Sequence, residues 1–133
     1  FIGDVESAYT EAVILGSDLE QIALLRHKKW GEERTFWQYD YNYKSSIASA
    51  IHSKMKRLCG IPGIEKTPEE REENEKTAIR ILEHRRWNAY MRSEGYVYSG
   101  STEKASRNNL AKQHNCLVAF SKLPLSEQEK DDD

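Results

Sequence analysis

The sequence predicts a small, mainly α-helical domain, and three observations carry that prediction. Capping signals recur, each a hydroxyl followed three residues later by glutamate: Ser17-Asp18-Leu19-Glu20, Thr67-Pro68-Glu69-Glu70 and Ser126-Glu127-Gln128-Glu129. Apolar residues then repeat at helical rather than alternating spacing. Strand signals are confined to two short stretches, Tyr96-Val97-Tyr98 and Cys116 to Phe120.

Taken in order, helices are expected at 4–15, 18–35, 44–58, 68–94, 106–113 and 126–131. Gly16 ends the first, and the Ser17 box starts the second. Ser45-Ser46 opens the third, which Gly60 stops and Pro62 keeps from running on. Thr67 caps the fourth with Pro68 at its first position, where no amide partner is needed, and Gly95 ends it. Ser106 or Arg107 opens the fifth, and Ser126 the sixth. Within 68–94, Ala78, Ile79, Leu82, Ala89 and Tyr90 share one stripe, while His84, Trp87 and Met91 form a second cluster. A helix with two such faces is sandwiched between neighbours. Its charged first turns, Glu69 to Glu75, are expected to face solvent.

At 133 residues, net charge −2, 38% hydrophobic and 32% charged, the chain supports one core, with neither disulfides nor a metal required. No apolar run reaches the length of a membrane-spanning helix, no basic and apolar leader is visible, and a cytoplasmic location is expected. Because it starts at Phe1 and not Met, the chain is expected to be cut from a longer protein. An N-terminal helical region, 1–62, is expected to accompany a second region, 63–133, the two forming one compact unit. Cys59 and Cys116 have apolar neighbours and no CxxC spacing, so both read as buried, reduced thiols.

Charge alternates along the chain: acidic over 1–17, basic over 18–62, acidic over 63–79, basic over 80–114 and acidic over 115–133. Such alternation describes solvated helix faces or two basic blocks that converge on an anion. The balanced total does not suit a nucleic-acid binder. An internal echo runs through both basic blocks. Ile22 to Trp30 aligns without a gap with Ile79 to Trp87, and Tyr39 and Tyr41 match Tyr96 and Tyr98. It reads as two related halves or as similar amphipathic helices.

Catalytic patterns are thin. There is no GxSxG, no HExxH, no phosphate loop and no nucleotide-binding glycine fingerprint. His27, His52, His84 and His114 are widely spaced; His27 and His84, each three residues before a tryptophan, read as packed side chains, and neither a metal nor a cofactor is expected. Binding residues are richer. Trp30, Phe36, Trp37, Tyr39, Tyr41 and Tyr43 crowd residues 30–43. Rings beside Arg and Lys suit a nucleobase and its phosphates, or else they clamp neighbouring helices. Helix N-termini at Ser45-Ser46 and Ser106-Arg107 offer free amides to a phosphate.

One run of motifs is more specific. Leu82-Glu83-His84-Arg85-Arg86-Trp87-Asn88-Ala89, Glu94-Gly95-Tyr96-Val97-Tyr98, the segment Arg107 to Val118, and Leu123-Pro124 occur in order. This run resembles the RyR domain, the module named for the repeats of ryanodine receptors and widespread in bacterial and phage proteins. The resemblance covers residues 76–131. It departs at Asn108 and Asn109, which stand where two acidic residues are usual, and at Asn115, which stands where a proline is. A small helical domain with a helix–loop–helix core and short extended segments is what the resemblance implies. It also implies a regulatory, non-enzymatic module. Bacterial relatives have been proposed to bind nucleotide-derived signals, including in antiphage defence.

The expected function is therefore a non-catalytic sensor that binds a small anionic nucleotide-like molecule, such as an immune second messenger. Arg85, Arg86, Trp87, Tyr96, Tyr98, Arg107, Asn109, Lys112 and His114 are expected around the ligand, with Ser45, Ser46 and Lys54 across from them. No nucleic acid and no direct membrane contact are expected. The competing expectation is a protein-interaction module, or one that forms homo-oligomers, within a larger signalling or channel-associated protein.

Overall fold

A computed structural model describes residues 18–132; the helix expected at 4–15 lies outside the described residues. The described chain is mainly helical, with one small two-stranded sheet. It divides into two compact units between Met55 and Lys56. The division falls inside a continuous helix, whereas the sequence suggested one at Pro62-Gly63.

In the first unit, helical backbone over residues 18–27 (α1) is followed by α2, Glu33–Gln38, and α3, Asp40–Leu58. The core is small: Ala23, Leu24, Phe36 and Ala50, with Leu19, Ile22, Tyr43 and Ile47 packed around it. The helix expected over 18–35 breaks because the His27 side chain captures the backbone beyond it. His27 Nε2 lies 2.9 Å from both Glu32 O and Thr35 Oγ1. Thr35 Oγ1 donates to the same carbonyl at 2.6 Å, so a carbonyl that only accepts fixes the proton on Nε2. The third helix starts at Asp40, earlier than expected. Tyr39 is extended, its carbonyl accepts from the amides of Asn42 and Tyr43, and Asn42 Nδ2 ties back to Thr35 O at 3.1 Å.

The second unit is built on α4, Glu73–Ser93. The Thr67-Pro68 signal does form a capping box, but it starts only a single 3₁₀ turn, Pro68–Glu70. Arg71 then turns extended and buried, donating from Nε to Gly63 O at 2.9 Å and from Nη2 to Ile64 O at 3.4 Å. The helix restarts at Glu72, in a second box with Glu75. It ends as Gly95 predicts. The amide of Gly95 donates to Arg92 O and that of Tyr96 to Met91 O, both at 3.0 Å, a Schellman closure with Gly95 at φ +90°.

Beyond it, β1, Val97–Tyr98, pairs in parallel with β2, Gln113–His114, in the register Val97 to Gln113 and Tyr98 to His114. Two sequence expectations fail here. No helix covers 106–113, because hydroxyls and amides take the backbone elsewhere. Ser106 Oγ donates to Ser101 O and Glu103 O, Asn108 Oδ1 accepts from the Ala111 amide, and Asn108 and Gln113 exchange backbone bonds across a tight loop. Nor is Cys116 to Phe120 a strand; it turns into a 3₁₀ segment, Phe120–Lys122. The chain then forms α5, Leu125–Gln128, which follows Pro124 rather than a Ser126 cap, and a final 3₁₀ turn, Glu129–Asp131, packed against α4.

Ile64, Ile79, Cys116, Leu117 and Leu123 are the buried apolar residues of the second unit. Lys56, Arg71, Glu83, His84, His114 and Asn115 are buried with them. Cys116 is buried as expected, and burial raises its thiol pKa. Cys59 is exposed, a correction, because it follows the end of α3 beside an equally exposed Leu58. No helix among the described residues is long and apolar enough to cross a membrane.

Candidate functional site

α4 carries four arginines, and the fold divides them into two pairs. Arg80 and Arg86 are consumed internally. Arg80 holds Asp132 through Nε at 2.6 Å and Nη2 at 3.0 Å, fastening the chain's end to the helix. Arg86 donates to Glu83 Oε1 from Nε at 2.9 Å and from Nη2 at 2.7 Å. Lys56 Nζ takes the other carboxylate oxygen at 2.8 Å. The result is a buried cation–anion–cation triad. Desolvation opposes charge on Glu83, but Arg86 and then Lys56 outweigh it and hold the carboxyl below its ordinary range.

Beside the triad, His84, His114 and Trp87 form a packed cluster. His84 Nε2 donates to Val118 O at 2.8 Å, while Nδ1 lies 3.4 Å from Asp131 Oδ2. Burial works against charging His84, yet Asp131, the Val118 carbonyl and Glu83 together raise its pKa. Trp87 stacks on His84 at a centroid distance of 5.8 Å and meets His114 edge-on at 4.8 Å. His114 Nδ1 accepts from the Cys116 amide at 3.0 Å. Burial, and then the Arg107 cation, push its pKa down to about 4, so it is neutral near pH 7.

Arg85 and Arg92 have a different environment. Both are exposed, and no carboxylate among the described residues pairs with either. They line a cleft of about 430 Å³ whose one wall is the α4 stripe Ile81, Arg85, Asn88 and Arg92. The opposite wall is the turn Val118 to Ser121, with Phe120 half-buried. Asn88 Nδ2 donates to His84 O at 3.2 Å and Val118 O at 3.3 Å, tying the two walls together. Since both partners only accept, the amide orientation is fixed, and Asn88 Oδ1 is left buried without a partner among the described residues.

The nine expected residues that lie in the second unit do not gather in one hollow. Arg85 alone among them lines the cleft. Arg86 is locked to Glu83; Trp87 and His114 belong to the packed cluster. Arg107 Nε donates to Asn115 Oδ1 at 3.1 Å, and Lys112 Nζ to Glu94 O at 2.7 Å. Tyr96 is half-buried beyond the end of α4, while Tyr98 on β1 and Asn109 in the tight loop are exposed. Ser45, Ser46 and Lys54 belong to the first unit, where Lys54 pairs with Asp18 at 2.9 Å. Ser45 and Ser46 lie inside α3, beyond its first turn, so they expose no helix-terminal amides. Ser106 and Arg107 likewise open no helix.

Asn88, Arg92 and Phe120 are cleft residues that the sequence did not single out. For two of them the signal is the helical spacing from Ile81 through Arg85 and Asn88 to Arg92, because those positions share one face. Phe120 carries none, since its place opposite α4 depends on the 3₁₀ turn. No group of acidic, histidine and cysteine side chains among the described residues is placed to hold a metal ion. In comparisons with known proteins the chain matches no family model, no curated protein and no solved structure.

Proposed function

We propose that residues 56–132 act as a non-catalytic, ligand-sensing module that binds a small anionic, nucleotide-like molecule in the cleft between α4 and residues 118–121. One observation carries the reading: of four arginines on one helix, the two facing the cleft lack carboxylate partners among the described residues, whereas the other two are neutralised. A cleft of about 430 Å³ is within the size range of small-molecule sites. Guanidinium groups supply charge-assisted bonds to phosphate, and the Phe120 ring supplies a face for a base. The internal bonds of His84 and His114 support binding over proton transfer. The likeness of residues 76–131 to RyR domains favours the same reading, with a cytoplasmic sensor of nucleotide signals as its setting.

Thermal-shift titration with adenosine 5′-monophosphate and adenosine 5′-diphosphate tests the proposal. Ligand at 100 times Kd stabilises by about 2.7 kcal/mol and raises the midpoint. Replacing Arg85 and Arg92 together by alanine, both at exposed positions, abolishes that rise, with circular dichroism confirming retained helix. A midpoint unmoved at millimolar nucleotide sinks the reading. The exposed Trp37 and Tyr41 of the first unit, 53% and 67% accessible, favour a second reading as a protein-interaction module. Under it, Trp37→Ser disrupts assembly measured by light scattering and leaves nucleotide binding intact.

A further inference from the structure

The spacing of the two open arginines specifies more than charge. Arg85 and Arg92 are seven residues apart, nearly two full turns, so they share a stripe with their Cα atoms about 10 Å apart along the axis. Asn88 sits between them, three residues from one and four from the other, and Phe120 faces the same cleft from the opposite wall. Arg92 is further held at its own end of the cleft, where Nη2 donates to Leu117 O at 3.5 Å. The cleft therefore presents cation, amide and cation in line, with a ring opposite.

A single phosphate is too small to engage both cations unless the side chains converge. Convergence brings two like charges together and draws Arg92 from its carbonyl. Two anionic groups at opposite ends of a polar or planar body engage both where they stand. We infer that the ligand is two-ended, with an anionic group at each end, of the chemical class of a nucleoside phosphorylated at two separate positions. This inference rests on the proposed binding function and adds the geometry of its ligand. It assigns distinct roles: Arg85 and Arg92 each hold one anionic end, and Phe120 packs on the base of the nucleoside that carries them.

Isothermal titration calorimetry with adenosine 3′,5′-bisphosphate, adenosine 5′-diphosphate and adenosine 5′-monophosphate separates the alternatives. The diphosphate matches the bisphosphate in its number of phosphate groups but places them side by side. The bisphosphate is expected to bind about tenfold more tightly than either competitor, the worth of one added charge-assisted hydrogen bond. Arg85→Ala and Arg92→Ala each bring its affinity down to that of the monophosphate, with circular dichroism confirming retained helix. If the diphosphate binds as tightly as the bisphosphate, or if one arginine proves dispensable, the two-ended geometry is wrong while the anion-binding function stands. If none of the three nucleotides binds, the binding function falls and the inference with it.

Discussion

Glu83 and Lys56 form an ion pair of 2.8 Å in which the side chains are 10% and 2% exposed, with Arg86 on the second carboxylate oxygen. Two cations around one anion leave the triad with a net positive charge out of water. Such an arrangement survives only while each hydrogen bond is made, because desolvation takes back most of the Coulomb attraction. The partners are therefore not equivalent on removal.

Glu83→Gln leaves two buried cations sharing a neutral amide and is expected to cost about 3–5 kcal/mol. Lys56→Met leaves a balanced Glu83–Arg86 pair and keeps the aliphatic volume, so its cost is expected to be clearly smaller. Urea denaturation of the two variants measures the order. A larger loss for Lys56→Met than for Glu83→Gln contradicts these roles for the triad's members.

This triad also explains where sequence and structure part. Helical periodicity placed Ala78, Ile79, Leu82, Ala89 and Tyr90 on the buried stripe of α4. Ile79 is buried, but Ala78 and Ala89 are exposed, and Glu83 and His84 take interior positions. Hydrophobic patterning scores glutamate as a surface residue, and it is the bonds from Arg86 and from Lys56 on another helix that make its burial tolerable. The same limit applies to 106–113, where side-chain bonds to the backbone replaced a helix. By contrast, the mainly helical class, the Gly95 stop and the Thr67 and Glu70 capping box follow from local chemistry and were legible. Arg85 was recognisable as a candidate ligand residue, but its separation from Arg86 was not. Adjacent arginines point about 100° apart on a helix, and only tertiary partners decide which one is neutralised.

His84 and His114 pull stability in opposite directions with pH. The raised pKa of His84 means that its charged form is favoured in the fold. Its contribution is complete below about pH 6.5, the unfolded value, and is lost as pH rises through the folded pKa. His114 is the reverse case. Its contribution is complete above about pH 6.5 and is lost as pH falls toward its folded value of about 4. Thermal midpoints are expected to peak near the unfolded histidine value and decline on both sides. His84→Gln, which keeps a donor for Val118 O, flattens the alkaline decline. His114→Asn, which keeps an acceptor for the Cys116 amide, reduces the decline between pH 6.5 and 4, and the lowered carboxyl pKa values of Glu75, Glu83 and Glu127 preserve acid sensitivity below it. A wild-type midpoint that rises steadily from pH 6 to 9 contradicts the assignment to His84.

Gly31 and Gly95 are both intolerant of a side chain, for different reasons that a matched set of substitutions separates. Gly95 has room, since an added Cβ meets nothing nearer than the Lys112 side chain at 3.5 Å, but it sits at φ +90° in the closure of α4. Gly31 has no such dihedral demand; a Cβ there meets Cε1 and Nε2 of the buried His27 ring at 2.8 Å. That ring is held by Glu32 O and Thr35 Oγ1 and cannot retreat without breaking those bonds. Gly95→Ala is expected to cost about 1–2 kcal/mol through left-handed backbone strain. Gly95→Asn recovers part of it, because asparagine tolerates that region. At Gly31 the burden is steric, so Ala costs about 1–3 kcal/mol through overpacking and Asn costs more. Chemical denaturation of the four variants reads the pattern: Asn better than Ala at Gly95, and worse than Ala at Gly31. The same ranking at both positions shows that one mechanism has been misassigned.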